Sequence, residues 1–526
     1  MVLLSTADHS VSPPDVSIPR SYNAAYDLIE RNVAAGRAGK LAYVDDSGRY
    51  TYADLGQRVS RFGSALRALG LEMEHRVALA LTDTIDFPVA FLGAIKAGIV
   101  PIPLNTLLTP SDYEHMLSDS RSRALVVSGH LLKHFVPLIG KLPFLKHVIV
   151  SGGEPAGHIA FGDVLARGSP DFPPAPTTAD DACFWLYSSG STGAPKAAVH
   201  VHSSMVLTAE LFGKSVLGIR ESDVVFSAPK LFFAYGLGNS ISFPLATGAT
   251  AMLMSERSTP SSIFRRLTRS KPTIFYGVPT LYASLLASPE FPQRESLALR
   301  LCISAGEALP PHLARAWKEK TGLEILDGLG STEMLQTFLS NRPDDVRYGT
   351  TGKAVPGYDL RLVDERGNPV GKGELGDLQV RGPSSAMCYW NNRERSRGTF
   401  VGEWTRTADK YMQDEDGYFV YGGRSDDLLK VSGMYVSPFE VEAALVSHEG
   451  VLEAAVVGHE DENRLTKPKA YVVLKPGLAA SGDLKAALQQ HVKERLAPYK
   501  YPRWIEFLDE LPKTATGKIQ RFKLRA

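Results

Sequence analysis

The stretch YSSGSTGAPKAAVH, Tyr187 to His200, gathers two glycines, four Ser/Thr hydroxyls, a proline and one lysine directly behind the apolar run CFWL. Backbone N–H groups in such a turn bind phosphate oxygens, and Lys196 offsets their charge. The spacing excludes two neighbouring chemistries. A Walker A loop needs GxxxxGK followed by Ser or Thr, whereas here Pro195 precedes Lys196 and Ala197 follows it. A nucleophile elbow needs GxSxG, but Ser191 has Ser189 two places before it. No HExxH ligand set occurs. His200 and His202 read as helix or loop histidines packed near the turn.

Such a turn needs a rigid frame. In TYADLGQRVSRFGSALRALG, Leu55, Val59, Phe62, Leu66 and Leu69 recur at three- and four-residue steps, which predicts a helix stopped at Gly70. RVALAL predicts a short buried strand, DFPVAFLGAIKAG a helix, and IVPIPL and ALVVSG further strands. The same rhythm returns at VVFSAP, ATAMLM, PTIFYG and LRLCIS. Strands alternating with helices predict an α/β fold of mainly parallel sheets covered by helices. The texture changes in KAVPGYDLRLVDERGNPVGKGELGDLQVRG, where alternation and turn pairs such as Arg366-Gly367 predict a β-rich, antiparallel subdomain. Beyond GRSDDLLKVSG, FEVEAALVSHEGV and LKAALQQHVKERL read as helices, with EAAVVGH and AYVVLKP as strands. The boundary is placed so that residues 1–425 form a large N-terminal domain and 426–526 a small α+β C-terminal domain. The Ser/Pro-rich first ~20 residues read as loosely ordered.

Bulk composition narrows the partners. With 526 residues, two or more domains are the default. The balance of 58 basic and 57 acidic residues offers no field for a nucleic-acid backbone. Cys183, Cys302 and Cys388 are far apart, odd in number and without metal spacing, which suits a reducing compartment. The N-terminus shows no signal-peptide pattern. The tract PVAFLGAIKAGIVPIPL is broken by Lys96 and prolines, short of the ~18 clean residues a membrane span needs. A cytoplasmic protein without a membrane partner is the expectation. Monomer and homodimer both stay open.

The string (Y/T)SG(S/T)TGxPK resembles the phosphate loop of the adenylate-forming superfamily, which includes acyl- and aryl-CoA ligases, luciferases and peptide-synthetase adenylation domains. Four further segments in the family's order extend the resemblance. It implies that Ser188, Ser189, Gly190, Ser191, Thr192, Gly193 and Lys196 hold the phosphates of ATP. DGLGSTE implies adenine recognition by Asp327, a nucleotide wall from Gly328, Leu329, Gly330 and Ser331, an α-phosphate contact at Thr332, and Mg²⁺ at Glu333. Leu329 departs from the family, which commonly has an aromatic ring there. SAGEALP, with Ala305, Gly306 and Glu307, would line the other purine face. WTRTADK places Asp409 at the ribose, with Ala408 replacing the usual glycine. In GRSDDLLKVSGMYVSPFEVE, Arg424 and Lys430 fall to the nucleotide, Asp426 to the hinge, and Ser432, Gly433 and Met434 to the pantetheine tunnel. PKTATGK carries Lys518, matching the lysine that bridges the substrate carboxylate and the α-phosphate. Lys518, Glu333, Thr332 and Lys196 are thus the implied catalytic set.

The resemblance is sharpest to benzoate-CoA ligases, over nearly the whole chain. It implies adenylation of an aromatic carboxylic acid by ATP, with Mg²⁺, and then transfer to coenzyme A by a mobile C-terminal domain. In KLFFAYGLGN, Phe233, Ala234, Tyr235 and Gly238, with the Gly328 and Gly330 backbone, would form a flat aryl slot. Gln336 stands where such ligases are expected to carry histidine. Its amide can donate to and accept from a ring hydroxyl, which keeps 4-hydroxybenzoate beside benzoate. A freestanding enzyme loading a carrier protein, and a non-catalytic nucleotide scaffold, are the alternatives.

Overall fold

The computed structural model describes residues 3–525 apart from 191–192, 425–426, 428, 432–433, 463–464, 498 and 514–518. For 189–190, 193–194, 430, 434–435 and 522, only the backbone is described. Two sheets dominate the N-terminal part. The first has five parallel strands, in the order Val100–Pro103, Arg76–Ala80, Ala124–Ser128, His147–Ser151 and Ile159–Ala160. The second has nine strands among the described residues. Its parallel centre runs Ile325–Gly330, Leu301–Ala305, Ile274–Gly277, Val224–Ser227, Thr250–Met252 and Leu41–Val44, with antiparallel strands at both edges. The alternation read from the sequence is therefore present as a doubly covered α/β fold.

The helix Tyr52–Ala68 shows why these segments fold as they do. Thr51 and Asp54 cap each other's backbone N–H groups in a reciprocal box. Leu55, Val59, Phe62 and Leu66 are buried on its inner face. The chain leaves the helix through Gly70 at φ +82°. The neighbouring helix Asp86–Lys96 is buried almost all round and packs between the sheets.

The phosphate-loop sequence forms a β-hairpin, with arms Ala182–Gly190 and Gly193–Val201 pairing antiparallel and Cys388–Tyr389 added as a third strand. Side chains alternate across it. Phe184 and Leu186 enter the core shared by both sheets, while Trp185, Ala197 and Val199 enter the core of the five-stranded sheet. The Trp185 and Trp390 rings lie 4.4 Å apart, and Tyr187 donates to Asp119 at 2.6 Å. Such a ring pair adds ~1 kcal/mol beyond burial. The hairpin is thus fixed at its base, on both faces.

The antiparallel reading of the next segment holds. Asp359–Val363, Leu375–Arg381, Trp404–Gln413 and Phe419–Arg424 form one antiparallel sheet, with Phe400–Val401 at its edge. Past it, strands Val451–Glu460, Thr466–Leu474 and Trp504–Phe507 and helices Pro438–Val446 and Gly482–Lys493 enclose a separate apolar cluster. Among the described residues, no helix is long and apolar enough to cross a membrane.

One expectation is corrected. The N-terminal segment is folded: Thr6–Asp8 pairs with Asp15–Ser17. The physical reason is Asp27, fully buried, which accepts from Ser5 Oγ at 2.6 Å, Tyr22 Oη at 2.7 Å and Arg31 Nη2 at 2.8 Å. A buried carboxylate needs those donors, and one of them lies in the Ser/Pro-rich start.

Candidate active site

Lys196 and Glu333, from segments 137 positions apart, meet with Nζ 3.1 Å from Oε1. Tyr389 joins them. Its hydroxyl lies 2.6 Å from Lys196 Nζ and donates to Glu333 Oε1 at 2.6 Å, and its ring sits 4.3 Å below the ammonium. Burial alone would raise the Glu333 pKa, but Lys196 and the Tyr389 hydroxyl more than offset it and hold it below the ordinary carboxylate range. Burial, and then the Glu333 charge, push the Tyr389 phenol up. The result is a preorganised cation–carboxylate pair beside the phosphate-type hairpin. Sequence reasoning missed Tyr389. Its position between Cys388 and Trp390 carries no phosphate signature, and the added strand Cys388–Tyr389 brings it in.

The Ser331–Gln336 turn that carries Glu333 is held at three carbonyls, from one strand and one loop. The Thr332 carbonyl lies 2.8 Å from His200 Nε2, the Glu333 carbonyl accepts from Ala386 N at 2.7 Å, and the Met334 carbonyl accepts from Ser384 Oγ at 2.7 Å. Ser331 Oγ caps the turn, accepting from Met334 N at 3.2 Å. Leu335 follows at φ +65° with its side chain buried, a conformation a bulky residue rarely adopts. Strain of this kind persists where surroundings over-determine the backbone. Of the two histidines, His202 sits at a helix N-cap as read from the sequence, whereas His200 departs from that reading. His200 lies in a strand and stacks on Phe184 at 5.3 Å, and buried His202 accepts from Ala24 N at 3.1 Å. Burial lowers both pKa values to about 4.

A second group of candidate residues lies at the carboxyl ends of the parallel strands, where ligands characteristically bind in such sheets. Ser304 and Asp327 are register partners on Leu301–Ala305 and Ile325–Gly330. Both are buried, and Ser304 Oγ and Asp327 Oδ1 have no hydrogen-bond partner among the described residues. Burial drives the Asp327 pKa well above the carboxylate range. A buried open acceptor suits an adenine amino group. Ala305 ends its strand, Gly306 turns at φ +94°, and Glu307 follows beside it. Gly328 is buried and Leu329 partly buried against the shared core. On the antiparallel sheet, Asp409 faces Arg424 across the strands, with Nη1 to Oδ1 at 3.9 Å. Ala408 keeps a glycine-like φ of +62°.

The aryl-slot residues also converge. Phe233, Ala234 and Tyr235 are partly exposed at the start of the helix Ala234–Leu237, which continues as a π-helical turn through Gly238. Gln336 is buried at 3% exposure, and its amide is fully engaged. Nε2 donates to Tyr235 O at 3.1 Å and Asn239 Oδ1 at 3.4 Å, and Oε1 accepts from Thr337 N at 2.9 Å and Thr337 Oγ1 at 3.1 Å. The donors and acceptors of Gln336 are thus used within the protein. The same placement explains Gly238, where a Cβ would stand 2.2 Å from Gln336 Nε2.

Ser188 lies in the hairpin arm with its hydroxyl buried and unpartnered among the described residues. Ser189, Gly190 and Gly193 are placed by backbone in the hairpin, and Lys430 and Met434 by backbone in the paired strands Leu429–Val431 and Met434–Val436. Ser191, Thr192, Asp426, Ser432, Gly433 and Lys518 lie outside the described residues.

The sequence pattern described as AMP-binding enzyme matches residues 29–390, and that described as AMP-binding enzyme C-terminal domain matches 440–518. The chain is 62% identical over 528 residues to a benzoate–CoA ligase of Thauera aromatica, covering 100% of both. It is 50% identical to a 4-hydroxybenzoate–CoA/benzoate–CoA ligase of Rhodopseudomonas palustris, covering 96% of this chain and 94% of the relative. Its fold is similar to the solved benzoate CoA ligase of Burkholderia xenovorans, with TM-score 0.91 and 53% identity, over 96% of this chain and 100% of that one. An anthranilate CoA ligase solved with anthranoyl-AMP superposes with TM-score 0.93 at 44% identity, over 96% and 97%.

Proposed function

The chain belongs to the AMP-binding enzyme family, and from that premise we propose that it is an ATP-dependent aryl-CoA ligase acting on benzoate or a close ring analogue. The observation that carries the reading is the Lys196–Glu333–Tyr389 cluster, which joins the phosphate-type hairpin to a part-buried carboxylate. Magnesium takes one or two carboxylates plus phosphate oxygens, so Glu333 fits it, and the ion would supply charge neutralisation at the phosphates.

In the first step a carboxylate oxygen of the aryl acid forms a bond to the α-phosphorus of ATP. The bond to the β-phosphate oxygen breaks, and pyrophosphate leaves with that electron pair. The nucleophile is already an anion, so no general base is needed. The obstacle is repulsion between anions, and catalysis rests on positioning and charge compensation. Lys196 meets the departing phosphates, and Asp327 and Asp409 hold adenine and ribose. Lys518 bridges the carboxylate and the α-phosphate. In the second step the sulfur of coenzyme A attacks the acyl carbon, the thiol proton passes to solvent, and AMP leaves. Residues 426–526 turn about Asp426 to exchange Lys518 for the pantetheine arm, which Ser432, Gly433 and Met434 wall. A cytoplasmic location fits these substrates.

The engaged Gln336 amide supports benzoate over 4-hydroxybenzoate. A ring hydroxyl brought against it would compete with bonds already made. ATP–pyrophosphate exchange with a panel of aromatic acids, followed by thioester detection with coenzyme A, tests the proposal. Benzoate should give both signals. Exchange without thioester, or with no aromatic acid, overturns it. In the same assay Lys518→Ala should abolish exchange while retaining thioester formation from supplied benzoyl-adenylate.

A further inference from the structure

We infer that His200 is a positioning residue for the adenylation step, fixing the orientation of the Thr332–Glu333 peptide relative to Lys196. The inference rests on the ligase reading above and goes beyond it, because that reading gives His200 no role.

Residues 196, 198 and 200 share one face of the strand Gly193–Val201, since side chains alternate along it. That face touches the catalytic turn twice. Lys196 Nζ reaches the Glu333 carboxylate at 3.1 Å, and His200 Nε2 reaches the carbonyl of the preceding residue, Thr332, at 2.8 Å. One contact sets a distance, whereas two contacts from one rigid strand to adjacent residues also set an orientation. The hairpin base is fixed by Trp185, Trp390 and Tyr187, so the strand can impose that orientation.

The carbonyl settles the tautomer. It can only accept, so Nε2 carries the hydrogen and Nδ1 is the bare nitrogen. Nδ1 is buried without a partner among the described residues. The ring is held in plane by stacking on Phe184 at 5.3 Å. In a trans peptide the C=O and N–H point in opposite directions. Anchoring the Thr332 oxygen on His200 therefore turns the Glu333 N–H away from the histidine, toward the side of its own carboxylate. The adjacent Leu335 at φ +65° shows that the turn does not adopt this shape from local preference.

A structural role alone would reduce both half-reactions together. A positioning role acts on the step that uses Lys196 and Glu333. The test compares His200→Leu, which fills space without a donor, with His200→Gln, whose amide can donate to the same carbonyl. Pyrophosphate exchange reports the first step, and thioester formation from supplied benzoyl-adenylate reports the second. His200→Leu should lower kcat for exchange ~10–100-fold, the scale of an ångström-level misplacement. The KM for benzoate and the second step should stay within about threefold, and His200→Gln should recover most of the lost rate. Equal losses in both steps, no loss in exchange, or equal impairment of both variants would overturn the role of His200. Absence of exchange in the unsubstituted protein would instead overturn the ligase reading on which it rests.

Discussion

Asp327 and Glu333 stand on one short stretch of chain, and their surroundings push them in opposite directions. Glu333 has an ammonium and a phenol within hydrogen-bond reach, and its proton is held less tightly than in an ordinary carboxyl. Asp327 is sealed in with one oxygen unpartnered among the described residues, and its proton is held more tightly. The first arrangement is complete within the protein and ready for reaction. The second is incomplete among the described residues and leaves an acceptor open to a ligand. A site of this kind separates its two tasks: catalytic charge is pre-paired, while recognition is left as an unmet polar group, which penalises any ligand without the matching donor.

The comparison can be broken most forcefully at its charged half. Glu333→Gln should reduce pyrophosphate exchange by ~10²–10³, the range found on removing one preorganised electrostatic group. It also leaves Lys196 without its charge partner, so raised magnesium should not restore the rate. A loss below about fivefold would show that the cluster is structural.

The recognition half gives a smaller effect of a different kind. Asp327→Asn should raise the KM for ATP ~10-fold with little change in kcat, the scale of one net hydrogen bond. Its stability signature has a definite sign. The folded pKa of Asp327 is raised, so the fold favours its protonated form. That stabilisation is present below the unfolded carboxyl range, near pH 4, and is lost as pH rises toward the folded value. Denaturant titrations of the ligand-free protein should therefore show Asp327→Asn gaining on the unsubstituted chain between acid and neutral pH. A gap that is constant with pH would refute this view of Asp327.

Each half also contains one left-handed residue other than glycine, and these sharpen the contrast at the smallest scale. Leu335 follows Glu333 and is buried, while Ala408 precedes Asp409. A left-handed Cβ costs ~1–2 kcal/mol, and glycine's extra freedom in the unfolded chain returns part of it. Ala408→Gly should stabilise the protein by up to ~1 kcal/mol in chemical denaturation with unchanged exchange activity. Destabilisation would mean that the alanine methyl packs favourably enough to outweigh the strain.

The parallel strands and their helices were legible because apolar periodicity is local. The helix Tyr52–Ala68 and the strands Arg76–Ala80 and Leu301–Ala305 each carry their pattern within a few residues. The pairing of the Tyr187–Lys196 hairpin with the Asp327–Glu333 segment was legible through motif resemblance. Tyr389, the clamping of three successive carbonyls and the engaged state of Gln336 were not. Each depends on which distant segment arrives beside it: Lys196 and Tyr389 are 193 positions apart, and Gln336 and Tyr235 are 101. The N-terminal hairpin was missed for the same reason, since its short strands are held by Asp27 and Arg31 rather than by their own composition.

The separation of 193 positions between Lys196 and Tyr389 has a consequence for how the molecule is made. Entropy lost in closing so wide a span grows only slowly with its length, by roughly 0.6 kcal/mol per doubling, but distant encounters slow the search for the native arrangement. A nascent chain leaving the ribosome can complete its five-stranded sheet early, from residues 76–160. The Lys196–Glu333–Tyr389 cluster cannot assemble until translation has passed Tyr389.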